Sequence, residues 1–130
     1  MEAIQTVYDF MDDAKVFYLA TIDGDQPRVR PYGATVLFEG KIYVMAMAGT
    51  NAPKQLAENP KCEICAFKGK TLRLTCTLVA DERKEVKEAM AAKMPALEKQ
   101  LGLDGMLMYY AKDATATIST MTGECETYTF

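Results

Sequence analysis

Short strand-type runs joined by glycine-containing turns dominate this sequence. Asp23-Gly24, Glu39-Gly40 and Lys68-Gly69-Lys70 each separate two apolar or β-branched runs. Turns of this kind between two such runs are a strong signal for a β-hairpin. The sequence therefore predicts consecutive strands that pair antiparallel. These strands are expected at residues 16–22, 28–38, 41–48, 62–67, 71–79, 105–110, 114–121 and 125–130.

Three other segments carry apolar residues at helical spacing, and we expect each to form a helix. The first spans residues 2–14 and the second residues 52–58, where Asn51 is expected to cap the helix start. The third begins with Asp81 as its N-cap and is bent or interrupted at Pro95, because proline disrupts a helix interior.

The strands outnumber the helices, and this balance sets the expected architecture. Residues 16–22, 28–38 and 41–48 are expected to form a three-stranded meander. Pro31 should mark an edge or a bulge, because proline cannot donate to a sheet ladder. Antiparallel strands in this number usually close into a barrel or stack as a sandwich. We expect one α+β domain over residues 1–130, a mainly antiparallel β-barrel with flanking helices.

The chain contains no histidine, and this absence excludes several classes of chemistry. It removes Ser-His-Asp and Cys-His nucleophile systems, haem held by a protein histidine, and zinc sites that need imidazole. Any catalysis must then come from carboxylate, lysine, tyrosine or cysteine side chains, or from a bound cofactor. We favour a bound cofactor.

The charge pattern argues against a polyanionic partner. The formal net charge is −3 and the basic residues are scattered along the chain. Neither a nucleic acid nor an anionic membrane surface is therefore expected to bind. No signal peptide is recognisable, and no apolar run approaches the ~20 residues of a membrane span, so we expect a cytoplasmic protein.

The four cysteines do not suggest a metal site. Cys62 and Cys65 have the spacing of a metal or redox pair, but they lie in a predicted strand, where positions i and i+3 face opposite ways. No second pair is present to complete a tetrahedral site. We expect these two residues, Cys76 and Cys125 to be small buried apolar residues in a reducing compartment.

The stretch from residue 28 to residue 54 has the features of an anion site. A helix N-terminus offers unpaired N–H groups and the positive end of the helix dipole. Lys54 lies on the predicted helix and Arg30 on a neighbouring strand. Either residue alone is more often a solvated surface side chain, but together at a helix start they favour a phosphate.

Five stretches, in this order and spacing, resemble the pyridoxamine 5'-phosphate oxidase-like family of FMN-binding split barrels, in its short general-stress and flavin-reductase-like branch. They are Phe17-Tyr-Leu-Ala-Thr-Ile-Asp-Gly-Asp-Gln-Pro-Arg-Val-Arg-Pro31, Ile42-Tyr-Val, Lys54-Gln-Leu-Ala-Glu-Asn-Pro60, Leu72-Arg-Leu74 and Ala116-Thr-Ile-Ser-Thr-Met-Thr-Gly123. The resemblance implies a split β-barrel with flanking helices. It also implies a homodimer that binds two FMN molecules in clefts between the subunits.

The same resemblance assigns roles to nine residues. Arg30 and Lys54 match positions that contact the FMN phosphate, and Thr71 falls where some relatives place a glutamine that reaches the flavin of the other subunit. Pro31 and Tyr32 match positions beside the flavin ring. Met47 and Ala48 match the strand end that contacts the cofactor, and Asn51 and Ala52 match the turn that surrounds the phosphate.

The departures from the family pattern limit the expected activity. Ala52-Pro53 occupies places where relatives that oxidise pyridoxamine phosphate often carry Ser-Arg, and the longer C-terminal segment that grips their substrate is absent. Oxidation of pyridoxamine phosphate itself is therefore not expected. The leading hypothesis is a small FMN-dependent oxidoreductase that carries electrons from NADH or NADPH to an unidentified small acceptor, with no catalytic residue assigned.

Two alternatives remain open. The first is a module that binds, stores or senses FMN without turnover. The second is a split barrel that holds a deazaflavin or haem in place of FMN. Haem is disfavoured because the chain offers no axial histidine, although tyrosine, methionine and cysteine are possible ligands.

Overall fold

A computed structural model describes residues 2–130 of the chain, which form an eight-stranded antiparallel sheet with four α-helices. The predicted α+β, mainly antiparallel fold is confirmed. The helices are α1 (Ala3–Ala14), α2 (Asn51–Glu58), α3 (Lys84–Lys93) and α4 (Pro95–Leu101), with a 3-10 turn at Leu103–Gly105. The strands are β1 (Phe17–Asp23), β2 (Gln26–Tyr32), β3 (Thr35–Phe38), β4 (Lys41–Met47), β5 (Lys61–Lys68), β6 (Lys70–Ala80), β7 (Met106–Ser119) and β8 (Cys125–Thr129).

The sheet is an open, split barrel. The strand order is β2-β1-β5-β6-β7-β4-β3, and β8 pairs with β7 beside this path. The predicted hairpins at Gly24, Gly40 and Gly69 are present. All three glycines have positive φ values of 64° to 74°, which a residue without a Cβ adopts at no steric cost.

The predicted meander of residues 16–22, 28–38 and 41–48 is wrong. Residues 28–38 belong to two strands, β2 and β3, which lie at opposite ends of the strand order. The chain turns away after Tyr32, and Gly33 passes so close to the carbonyl oxygen of Lys15 that an added Cβ would lie 3.3 Å from it. Pro27 and Pro31 keep β2 at the sheet edge, as predicted for Pro31.

Two element boundaries also differ from the predictions. Residues 105–110 and 114–121 belong largely to one strand, β7, which runs through Asp113 at φ 51°. Between Thr75 and Thr77 the pairing of β6 with β7 is irregular, and this irregularity accommodates one additional residue of β7. Helix α2 begins at Asn51 itself, so Asn51 is not its N-cap.

Asp81 does not cap the third predicted helix. Helix α3 begins only at Lys84, and Asp81 instead accepts a hydrogen bond from the backbone N–H of Arg83 and one from the hydroxyl of Tyr43. The predicted interruption is present, because α4 starts at Pro95.

Two apolar clusters form the core. The larger one lies within the curved sheet and includes Val7 and Met11 of α1, both fully buried. The smaller one joins Val86 and Met90 of α3 to strands β3, β4 and β7. Helix α2 also contributes Leu56 to the larger cluster, and its first turns lie beside the β1–β2 hairpin, where a cleft opens.

The cysteines follow the prediction in part. Cys62 is buried opposite Cys76 on the paired strand, with the two sulfur atoms 3.5 Å apart, whereas Cys65 faces the other side of β5. The hydrogen bond with Cys62, together with burial, raises the pKa of the Cys76 thiol. Cys125 is exposed, so its predicted burial is wrong.

Candidate functional site

A cleft of about 770 Å³ lies between the β1–β2 hairpin, the end of β4 and the first turns of α2. Six of the nine residues predicted for the cofactor site line it: Arg30, Tyr32, Met47, Asn51, Ala52 and Lys54. The remaining lining residues are Ile22, Asp23, Gly24, Arg28, Val29, Thr50, Gln55 and Glu58.

Arg30 is held in the cleft by three oxygen atoms of the protein. Its Nη1 atom donates to the carbonyl oxygen of Leu19 at 3.2 Å and to Oγ1 of Thr21 at 2.7 Å. Its Nη2 atom donates to Oε1 of Gln55 at 2.7 Å. A guanidinium has five N–H donors, so two remain for a ligand.

Arg30 differs from the other three arginines in what balances its charge. Arg28, Arg73 and Arg83 are exposed, and each lies within 3.6 Å of a carboxylate oxygen. Arg30 is only partly exposed, and among residues 2–130 no carboxylate forms a salt bridge with it. A half-buried guanidinium bound only to neutral acceptors favours an anion from outside the chain.

The N-terminus of α2 adds donors to the same cleft. The Thr50 hydroxyl, which could cap the helix, donates instead to the carbonyl oxygen of Met47 at 2.6 Å. Within the described residues no side chain caps α2, and the N–H groups of Asn51 and Ala52 belong to its first turn. Lys54 follows on the exposed side of that turn, so positive charge and N–H donors meet at one end of the cleft.

Beside this polar end the cleft has apolar walls. Ile22 and Met47 are 37% and 47% exposed, which leaves apolar surface for a ligand. Tyr32 packs edge-on against Phe17, and burial raises the pKa of its hydroxyl despite the opposing charge of Arg30. The arrangement therefore suits a ligand with an anionic group at one end and a flat apolar group at the other.

Three predicted site residues lie outside the cleft lining. Pro31 alternates with Arg30 and Tyr32 along β2, so its side chain lies on the opposite face of the strand. The N–H of Ala48 donates to the carbonyl oxygen of Gly105 at 3.0 Å. Thr71 lies at the start of β6, opposite Phe67 and Ser119.

The sequence did not identify Thr21 and Gln55. Thr21 lies in an apolar strand and looks like an ordinary β-branched core residue. The only signal for Gln55 in the sequence is its position next to Lys54 on the predicted helix. Their role depends on contacts across 34 residues of sequence, which no local pattern reveals.

Two further properties of residues 2–130 bear on the alternatives. No three cysteine or acidic side chains gather where they could hold a metal ion. Over the same residues, no helix has the length and the apolar character needed to cross a membrane.

Comparison with known proteins gives one family match and many structural matches. Residues 3–120 match the profile of the family described as pyridoxamine 5'-phosphate oxidase. A search of curated proteins gave no match.

Among solved structures, a NimC/NimA family protein from Clostridium acetobutylicum is 37% identical, with a TM-score of 0.92. The alignment covers 98% of this chain and 92% of that protein. Another C. acetobutylicum protein, related to general stress protein 26 of Bacillus subtilis, is 13% identical with a TM-score of 0.75 and coverages of 100% and 97%. HutZ, the haem storage protein of Vibrio cholerae, is 16% identical with a TM-score of 0.68 and coverages of 99% and 95%. The last two likenesses concern the fold alone.

Proposed function

The chain belongs to the pyridoxamine 5'-phosphate oxidase family, and from this premise we propose that it is an FMN-binding oxidoreductase. In this proposal, electrons pass from NADH or NADPH through FMN to a small acceptor that is not identified. The observation that carries the proposal is the state of Arg30, a half-buried guanidinium held by neutral oxygen atoms in a cleft with apolar walls. A flavin phosphate would supply the missing negative charge.

The residues of the cleft fit the two ends of FMN. Arg30, Lys54 and the first N–H groups of α2 would bind the phosphate, which carries up to two negative charges. Met47 and Tyr32 would contact the apolar ring. When bound, the isoalloxazine supplies the hydride and electron chemistry, so the protein needs no histidine for the redox step.

Oxidation of pyridoxamine phosphate is not part of this proposal. Ala52 and Pro53 offer neither a hydroxyl nor a charge at the start of α2. The protein's own contribution is therefore limited to holding the phosphate, placing the ring and restricting access of water to it.

We further propose that the protein is a homodimer and that it functions in the cytoplasm. Val29 and Phe67 are 68% and 62% exposed, and Tyr18 is 48% exposed. Tyr18 pairs with Pro31 and with Cys65, so these residues share the outer face of β1, β2 and β5. An apolar sheet face of this kind fits a second copy of the chain. Because Val29 and Pro31 flank Arg30 on β2, that interface would adjoin the cleft.

Haem is the second candidate, since haem-binding proteins share the fold. Within the described cleft, Tyr32 and Met47 are the side chains suited to an iron ligand. Haem does not account for a neutrally held arginine as directly as a flavin phosphate does, although its propionates are anions too. FMN is therefore the preferred cofactor.

One experiment separates these functions. The purified protein is incubated with FMN, freed of excess cofactor, and titrated with NADH or NADPH without oxygen while its visible spectrum is recorded. The proposal predicts a retained flavin spectrum that bleaches. A retained spectrum that stays oxidised with both donors would favour a binding or sensing module. If flavin is not retained and added haem is, the FMN assignment is wrong.

A further inference from the structure

Three polar groups form a closed triangle in the wall of the cleft. Arg30 donates to Thr21 and to Gln55, both at 2.7 Å, and the Thr21 hydroxyl donates to the same Gln55 Oε1 atom at 2.6 Å. Thr21 is only 2% exposed, so its hydroxyl has little access to water. Every member of the triangle therefore fixes the position of the other two.

The triangle orients Arg30 without cancelling its charge. Arg83 is an arginine whose charge is neutralised, because its guanidinium binds the carboxylates of Asp81 and Glu39 at 3.0 and 2.7 Å. Gln55 accepts a hydrogen bond from Arg30 at the same 2.7 Å that separates Arg83 from Glu39, but Gln55 carries no charge. A carboxylate at position 55 would hold Arg30 equally well and would repel a second anion.

We infer that Thr21 and Gln55 are positioning residues that present Arg30 to a dianionic phosphate and so make the cleft prefer phosphorylated over unphosphorylated flavin. This inference rests on the proposed function. Both hydrogens of Arg30 Nη1 and one of Nη2 are engaged by protein oxygens. The remaining Nη2 hydrogen and the Nε hydrogen are then left in a fixed position for phosphate oxygens.

The test compares FMN with riboflavin, which has the same ring and lacks the phosphate. Dissociation constants for both are measured by fluorescence titration of the full-length protein at pH 8, where the phosphate is dianionic because its second pKa is about 6. The variants are Gln55→Glu, which keeps the acceptor oxygen and adds charge, and Thr21→Val, which keeps the shape and removes the hydroxyl. Gln100→Glu, on the exposed surface of α4, is the matched control.

We expect the wild-type protein to bind FMN more tightly than riboflavin. Gln55→Glu should reduce this preference about tenfold or more, and Thr21→Val several-fold, while riboflavin binding changes less than about twofold. Gln100→Glu should leave both constants unchanged. A merely structural role of Thr21 and Gln55 would weaken FMN and riboflavin equally.

The possible failures are distinguishable. If the wild-type protein binds neither flavin, the proposed function is wrong and the inference falls with it. If it prefers FMN and Gln55→Glu keeps that preference, or if both flavins weaken in parallel, the inference is wrong and the proposed function stands.

Discussion

At the scale of single residues, the site depends on how one arginine is held. The sequence indicated Arg30 and Lys54 as an anion pair because both lie near a predicted helix start. It could not indicate that Thr21 and Gln55 hold Arg30, since these contacts join β1, β2 and α2 only in the folded chain. The residue types were thus predictable, whereas the preorganisation of Arg30 was not.

Replacing Lys54 by alanine should weaken FMN binding about tenfold, which corresponds to the ~1.5 kcal/mol of a charged hydrogen bond. Lys54 is exposed and lines the cleft, so its loss should leave folding unaffected. The measurement is a fluorescence titration with FMN, with urea unfolding as the check on stability. Lys99→Ala, on the exposed side of α4, is the control. Equal FMN affinity in Lys54→Ala and wild type would remove Lys54 from the site.

At the scale of secondary-structure elements, the hairpin turns were predictable from the sequence, whereas the separation of β2 from β3 in the sheet was not. The hairpins at Gly24, Gly40 and Gly69 follow from glycine in the left-handed region, which is a local property. The separation of β2 from β3 follows from the pairing of β3 with β4 and of β4 with β7, which is a property of the whole sheet. Asp81 was misassigned in part for the same reason, because one of its partners is Tyr43 on β4, 38 residues away in sequence.

The link between Asp81, Tyr43 and Arg83 should make stability depend on pH. The hydrogen bonds from Arg83 hold the pKa of Asp81 well below its usual range, while burial and the bond to Asp81 raise the pKa of Tyr43 to about 12. A carboxyl with a depressed pKa stabilises the fold above its unfolded pKa of about 3.9 and loses that effect as the pH falls towards the folded value. Asp81→Asn should therefore lower the free energy of unfolding by about 1 to 2 kcal/mol at pH 7, and by progressively less below about pH 4.

Urea unfolding of wild type and Asp81→Asn at pH 7, 5 and 3 measures this difference. Asp104→Asn, an exposed change in the 3-10 turn, is the control and should have little effect at any of these values. A constant difference between Asp81→Asn and wild type from pH 7 to pH 3 would show that the charge of Asp81 does not contribute.

At the scale of the whole molecule, alternation along β2 gives the strand two different faces. The side chains of Arg30 and Tyr32 face the cleft, whereas Pro31 lies on the outer face and the exposed Val29 lies on that face at the rim of the cleft. The sequence predicted the strand and the family, and through the family a homodimer. It could not show which face of the sheet is left uncovered, because that depends on where α1 and α3 pack.

If the proposed homodimer forms through this face, Val29→Lys should convert it to a monomer, because a lysine buried in an apolar interface would lose its hydration. Sedimentation velocity measures this, with a single chain of 14.4 kDa as the reference. Ala92→Lys, which adds the same charge on the exposed side of α3, should leave the proposed dimer intact. A wild-type protein that sediments as a monomer, or a Val29→Lys variant that stays dimeric, would contradict the proposed interface.

The most direct test of the central claim is a crystal structure of the protein with FMN. We expect a phosphate whose oxygen atoms lie at hydrogen-bond distance, about 2.7 to 3.1 Å, from Arg30, with the flavin ring extending towards Met47 and Tyr32. The triangle of Arg30, Thr21 and Gln55 should keep its present hydrogen bonds. FMN bound away from this cleft, or with its phosphate out of reach of Arg30, would show that Arg30 is not the phosphate ligand.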